Sequence, residues 1–135
     1  MKIVLDTNVL VSAFLKPHSK PARILRLVIQ GEIQIIINEA ILAEYYEVLV
    51  RPVFKFNDKH VQAILKLIRA RGIKAPVLAK SFQLPDSDDE PFLEAAIACR
   101  ADALVTGNLK HFPKEHCHGQ NIVLPAEFLN TIVNL

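Results

Sequence analysis

Apolar positions along the chain fall into two alternating patterns. Short runs rich in β-branched residues, at 3–5, 33–37, 75–78, 103–105 and 121–124, predict strands. Between them, apolar residues recur at helical spacing over 22–30, 39–50, 58–71 and 91–100, and a last helix is expected from Ala126. The first, second and fourth runs are almost continuously apolar, as strands covered on both faces should be. Strands alternating with helices imply a mostly parallel sheet with helices on both sides.

Punctuation supports these boundaries. Gly31 and Gly72 follow the second and fourth segments where helix C-caps would stand. Asn38 is a suitable N-cap for the helix that carries Glu44. Pro91 lacks an N–H and belongs in the first turn of its helix, which favours Asp88 or Asp89 over Ser87 as the cap. Neither a repeat nor a low-complexity linker interrupts residues 1–135, so a single domain is expected.

Composition narrows the class. Hydrophobic residues make up 51% and charged residues 22%, enough for a packed core and unlike a disordered chain. A formal charge of +2 is no argument for a polyanionic partner unless the basic groups cluster. Two cysteines, Cys99 and Cys117, are too few for a disulfide framework, and Cys99 reads as a small core residue of an apolar helix. The start meets an acid, Asp6, too early for a signal peptide, and no apolar run nears the roughly 20 residues that span a bilayer. The expectation is a cytoplasmic protein with no membrane partner.

Four polar groups stand out against this apolar frame. Asp6 ends the first strand, where open α/β sheets gather ligand-binding groups. Asn108 holds the equivalent place after the fourth strand, with Gly107 allowing a tight turn. Either residue has a bland reading, as a helix cap for Asp6 (or Asn8) and as part of a plain turn for Asn108. Glu44 lies beside Ile41 and Val48 at about 100° per residue, on the edge of an apolar arc continued by Leu42, Tyr45 and Leu49. A carboxylate against a core must be paired, protonated or bound to a metal. Its bland reading is a snorkelling surface group or a salt bridge. Asp86, Asp88, Asp89 and Glu90 place four acids in five residues, more than the helix dipole requires, and like charges so dense call for a cation. Three carboxylates and an amide oxygen suit a hard divalent ion.

These residues resemble the motifs of the PIN-domain nucleases. The opening Ile3-Val4-Leu5-Asp6-Thr7-Asn8-Val9-Leu10-Val11-Ser12 is similar to the first motif. Glu44 in its helix, Asp88-Asp89-Glu90-Pro91-Phe92-Leu93-Glu94-Ala95-Ala96 and Asp102-Ala103-Leu104-Val105-Thr106-Gly107-Asn108 resemble the other three, in order. The likeness spans essentially the whole chain and is nearest to the toxin branch of toxin–antitoxin pairs. It implies a three-layer α/β/α sandwich and a pocket holding one or two Mg²⁺ or Mn²⁺ ions on Asp6, Glu44 and Asp89. The fourth metal position, often aspartate, is Asn108 here, which removes one charge. Thr106 would position a metal-bound water or the substrate phosphate, and Asp89 is the ligand of the acidic cluster, with Asp88 left as the helix cap.

The implied activity is metal-assisted hydrolysis of single-stranded RNA, with Asp89 or Asp6 accepting the water's proton. Phosphate contacts would come from Lys16, Lys20, Arg23, Arg26 and Lys110, each of which also reads as a solvated helix face. An antitoxin protein and a second copy of the chain are the partners the resemblance implies. Two rival readings stay open. A haloacid-dehalogenase-type phosphatase also begins with an acid after the first strand, but needs a second aspartate where this chain has Asn8. A degenerate fold that binds RNA or protein without cleavage would be consistent with Asn108. His111, His116, Cys117 and His118 are too cramped for a zinc site and read as a solvent loop.

Overall fold

A computed structural model describes residues 1–78 and 80–133. Among the described residues five strands form the sheet: β1 (Lys2–Leu5), β2 (Gln34–Ile37), β3 (Ile73–Lys74), β4 (Ala103–Val105) and β5 (Ile122–Val123). Their order is β3-β2-β1-β4-β5, and every pairing is parallel. The central register pairs Ile3 with Ala103 and Leu5 with Val105. In β1, β2 and β4 three consecutive residues are buried, the signature of strands packed on both faces.

Six α-helices among the described residues surround the sheet: α1 (Thr7–Leu15), α2 (Lys20–Ile29), α3 (Glu39–Leu49), α4 (Asp58–Arg71), α5 (Glu90–Ala98) and α6 (Pro125–Val133). The crossover from β3 to β4 carries α5 back across the sheet, in the opposite sense to β1→β2 and β2→β3. With right-handed crossovers α5 therefore covers the opposite face from the helices of those units, which makes three layers. Accordingly α5 packs on β1, β2 and β4, while α2 packs against α6. One core of Ile, Leu, Val and Phe side chains runs through both interfaces.

Three expectations need correction. The helix α1 at Thr7–Leu15 is not signalled by the pattern, because Thr7, Val9 and Val11 are poor helix formers following straight on from a strand. Tertiary packing of Val9, Leu10 and Ala13 overrides that propensity. The third strand is Ile73–Lys74 rather than 75–78. Pairing with β2 ends with the bond from Ala75 N to Ile37 O, and Pro76 has no N–H with which to continue it. Gly72 caps α4 where expected, with an extended backbone at φ −65° rather than a left-handed one. A Cβ there would stand 2.7 Å from both Ile37 Cδ1 and the Ile68 carbonyl, so close packing demands the glycine. Finally, Asp88 is not the cap. Asp86 accepts from Asp88 N to close a 3₁₀ turn at Ser87–Asp89, and α5 starts at Glu90 with Pro91 in its first turn.

Candidate metal-binding active site

The strand order reverses direction between β1 and β4, and the crevice beyond their carboxyl ends is where open α/β sheets bind ligands. Asp6, Thr106 and Asn108 emerge there. Asp6 N donates to Val105 O, so the ladder continues one residue past β1 and clamps the two strand ends together. The Asp6 carboxylate is 4% exposed and accepts two hydrogen bonds, from Thr7 N at 2.8 Å and from Thr106 Oγ1 at 2.7 Å. Asn8 ties the same loops together by accepting from Gly107 N at 3.0 Å. Gly107 stands close to Asn8, where a Cβ would come within 3.3 Å of its Oδ1. Its backbone is not left-handed, so close approach rather than turn geometry explains the glycine.

Glu44 is half-buried, as its helical position predicts. Its Oε2 accepts from Thr7 Oγ1 across 37 residues of sequence. Among the described residues no lysine or arginine pairs with it. The neighbouring Tyr45 is fully buried, and its hydroxyl donates to Leu5 O at 2.6 Å, fastening α3 to the end of β1. Asp89, 8% exposed, stands at the N-cap position of α5 without making a capping bond. Its Oδ2 is shielded from solvent and has no aligned hydrogen bond; Nδ1 of His111 is 3.1 Å away but off the line of donation.

Electrostatics bind these acids into one site. Burial pushes the Asp6 carboxyl up, against the opposing pull of the Thr106 and Thr7 donors. Burial also raises Glu44, with further contributions from the charges of Asp6 and Asp88 and relief from the Thr7 bond. Burial and then the charge of Asp6 raise Asp89 to about 6, partly offset by His111. The charge of Asp6 thus makes both Glu44 and Asp89 harder to ionise, an effect a cation reverses. Among the described residues no three His, Cys, Asp or Glu groups stand close enough together to hold an ion between them. Mg²⁺ does not need three, since it commonly takes one or two carboxylates and retains several waters. An orphaned, buried carboxylate oxygen beside two further acids with raised pKa values fits such an ion.

The remaining site candidates are less engaged with the acids. Thr106 uses its hydroxyl on Asp6, and that oxygen accepts from Asn108 N at 3.1 Å. Asn108 Oδ1 accepts from Lys110 N, capping a 3₁₀ turn at Leu109–His111. Lys110 is exposed in that turn, next to the site. Lys16 lies at the far end of α1, about 13 Å of helix from Asp6. Lys20 and Arg23 are exposed on α2, and Arg26 of that helix donates to Pro17 O.

Four contributors escape the sequence argument: Thr7, Asn8 as a tie to Gly107, Tyr45 and His111. Thr7 and Asn8 flank the first acid, and a hydroxyl there is an ordinary helix-start residue, so their partners are invisible without the fold. His111 shares a loop with His116, Cys117 and His118, and its signal lay in following Asn108 by three residues. That loop is not wholly solvated either: Cys117 is 1% exposed and burial raises its thiol pKa, whereas Cys99 is the half-buried residue closing α5.

Comparison with known proteins agrees with this fold. The sequence matches the PIN domain over residues 2–110, and the chain belongs to that family. It is 27% identical over 111 residues to the uncharacterized protein MJ1680 of Methanocaldococcus jannaschii, covering 80% of this chain and 71% of that protein. Its fold is similar to VapBC2 from Rickettsia felis, a structure bound to a DNA fragment from its promoter, with TM-score 0.62 and 22% identity over 92% of this chain and 98% of that one. It is also similar to VapBC-1 from nontypeable Haemophilus influenzae, with TM-score 0.62 and 13% identity over 93% and 99% of the two chains. No helix among the described residues is long and apolar enough to cross a membrane.

Proposed function

We propose that this PIN-domain protein is a metal-dependent endoribonuclease acting on single-stranded RNA in the cytoplasm, as the toxin of a toxin–antitoxin pair. The observation that carries the reading is the group of three carboxylates at the β1–β4 crevice, each with a raised pKa, one of them with an orphaned oxygen. Folded protein tolerates such mutual repulsion where a ligand offsets it. The kinship in fold to VapBC structures supports the toxin assignment, and with it an antitoxin partner and a homodimer.

Asp6, Glu44 and Asp89 would hold one or two Mg²⁺ or Mn²⁺ ions, with the Asn108 amide oxygen as a neutral fourth donor. A bound divalent ion supplies a water of lowered pKa and neutralises charge developing on the phosphate. Thr106 and Thr7 N fix both oxygens of Asp6, so that carboxylate is preorganised. Thr7 does the same for Glu44. Asp89, the acid free of a cap bond, is the better placed to accept the proton of the attacking water. Lys110 is the candidate phosphate contact beside the acids, and Lys16 and Arg23 would extend the track.

Cleavage of labelled single-stranded RNA in Mn²⁺ or Mg²⁺, with a chelator control and Asp6→Asn purified in parallel, tests this. Cleavage that requires both the ion and Asp6 is the expected result. Equal cleavage by both proteins would assign the activity to a contaminant.

A further inference from the structure

Within the metal-dependent reading above, we infer that His111 is a nitrogen donor of the cation site beside Asp89 and that it biases the site toward Mn²⁺ over Mg²⁺. The geometry starts from a single pair of atoms. His111 Nδ1 stands 3.1 Å from Asp89 Oδ2. Two atoms bound cis in an octahedron at roughly 2.1 Å are about 3 Å apart, so this is the spacing of neighbouring ligands. It is also a hydrogen-bond distance, but the oxygen receives no aligned donor. A buried carboxylate oxygen left unpaired beside an imidazole needs a third partner, and an ion lying between the two satisfies both.

The rest of the loop keeps the ring there. Asn108 caps the 3₁₀ turn that carries His111. Phe112, the next residue, is buried in the core and anchors the turn from behind. Asn108 N is held in turn by Thr106 Oγ1, the same hydroxyl that orients Asp6. The imidazole is thus fixed from the side of the site that already positions the acids, while 44% of its side chain stays open to solvent.

Ligand chemistry then sets the preference. Mg²⁺ favours oxygen donors and gives up water reluctantly. Imidazole suits first-row transition ions, so replacing one oxygen ligand by nitrogen moves the balance toward Mn²⁺ and its neighbours. Asparagine in place of a fourth acid acts in the same direction, because it lowers the charge on which a hard ion depends.

The test uses full-length, tag-free protein, loaded with Mn²⁺ alone, as wild type and as His111→Gln. Pulsed electron-spin-echo spectroscopy should detect ¹⁴N coupling of directly bound imidazole in the wild type, and the coupling should vanish in His111→Gln with Mn²⁺ still bound. Calorimetric titration should show Mn²⁺ affinity falling by about 10-fold or more in the variant, with Mg²⁺ affinity changing by less than about 3-fold. Matching thermal melts of the two metal-free proteins establish that the variant folds. Mn²⁺ binding with no nitrogen coupling, or coupling that survives the substitution, would overturn the role of His111 and leave the acidic site standing. No Mn²⁺ binding by the wild type would overturn both readings.

Discussion

Asp6 and Asn38 occupy the same kind of place and do different things. Each follows a strand of the same sheet, each precedes a helix, and each is buried, at 4% and 9% exposure. Asn38 is a complete structural device. Its Oδ1 accepts from Ile41 N, the third helical residue, which is the usual capping bond, and its Nδ2 donates to Pro91 O. Asp6 accepts instead from Thr7 N, the first helical residue, and its other oxygen turns toward Thr106 on a different strand. Among the described residues no lysine or arginine pairs with Asp6, and burial raises its pKa. The cap that satisfies its helix is architecture; the cap that leaves its charge facing a crevice with Glu44 and Asp89 is a site.

Exchanging the chemistry of these two positions should therefore have opposite consequences. The largest effect expected is on turnover: Asp6→Asn should lower metal-dependent RNA cleavage by about 100-fold or more, with the melting temperature of the metal-free protein unchanged or raised. A stable variant that retains cleavage would remove Asp6 from the chemistry. The reciprocal change, Asn38→Asp, turns a donor to Pro91 O into an acceptor and should cost about 1–3 kcal/mol in denaturant unfolding. Cleavage per folded molecule should stay near wild type, and a large loss there would dissolve the distinction between the two strand ends. Thr106→Val should be milder, lowering cleavage about 10-fold by freeing one oxygen of Asp6 while leaving the fold intact.

The smallest effect is a pH dependence of stability. Asp89 has its pKa raised to about 6, well above the ordinary carboxylate range, so the folded protein holds that proton more tightly than the unfolded chain. The stabilising contribution is complete below pH 4 and is lost as pH rises through 6. Asp6 and Glu44, also raised, act in the same direction. Melting of the metal-free protein should show this component weakening between pH 4 and 7, and Asp89→Asn should flatten it. Added Mn²⁺ should raise the melting temperature more at pH 7.5 than at pH 5, since the ion binds the ionised carboxylates. An equal rise at both pH values would detach the ion from these acids.

Sequence patterning reached most of the architecture because burial has a period. The 58–71 helix is found at its observed bounds, and the buried runs of β1, β2 and β4 are where continuous apolar residues predict them. The helix α1 was hidden because β-branched residues on a short, two-sided buried segment read like a strand continuing. For the site, Glu44 at the edge of an apolar arc and Asp89 amid excess acid were legible as misfits. Asp6 and Asn108 were legible from their places at strand ends.

By itself, the sequence determined an alternating α/β chain, a PIN-family motif order, and acids where a parallel sheet collects its ligands. Tertiary structure alone decided which polar groups answer to which. Thr106 meets Asp6 across 100 residues, Thr7 meets Glu44 across 37, and His111 rather than a lysine comes to Asp89. Periodicity reports whether a side chain faces the core, a property of its own element. Hydrogen bonds and charge coupling depend on the relative placement of elements distant in sequence, which the β1–β4 register and the packing of α3 and α5 set.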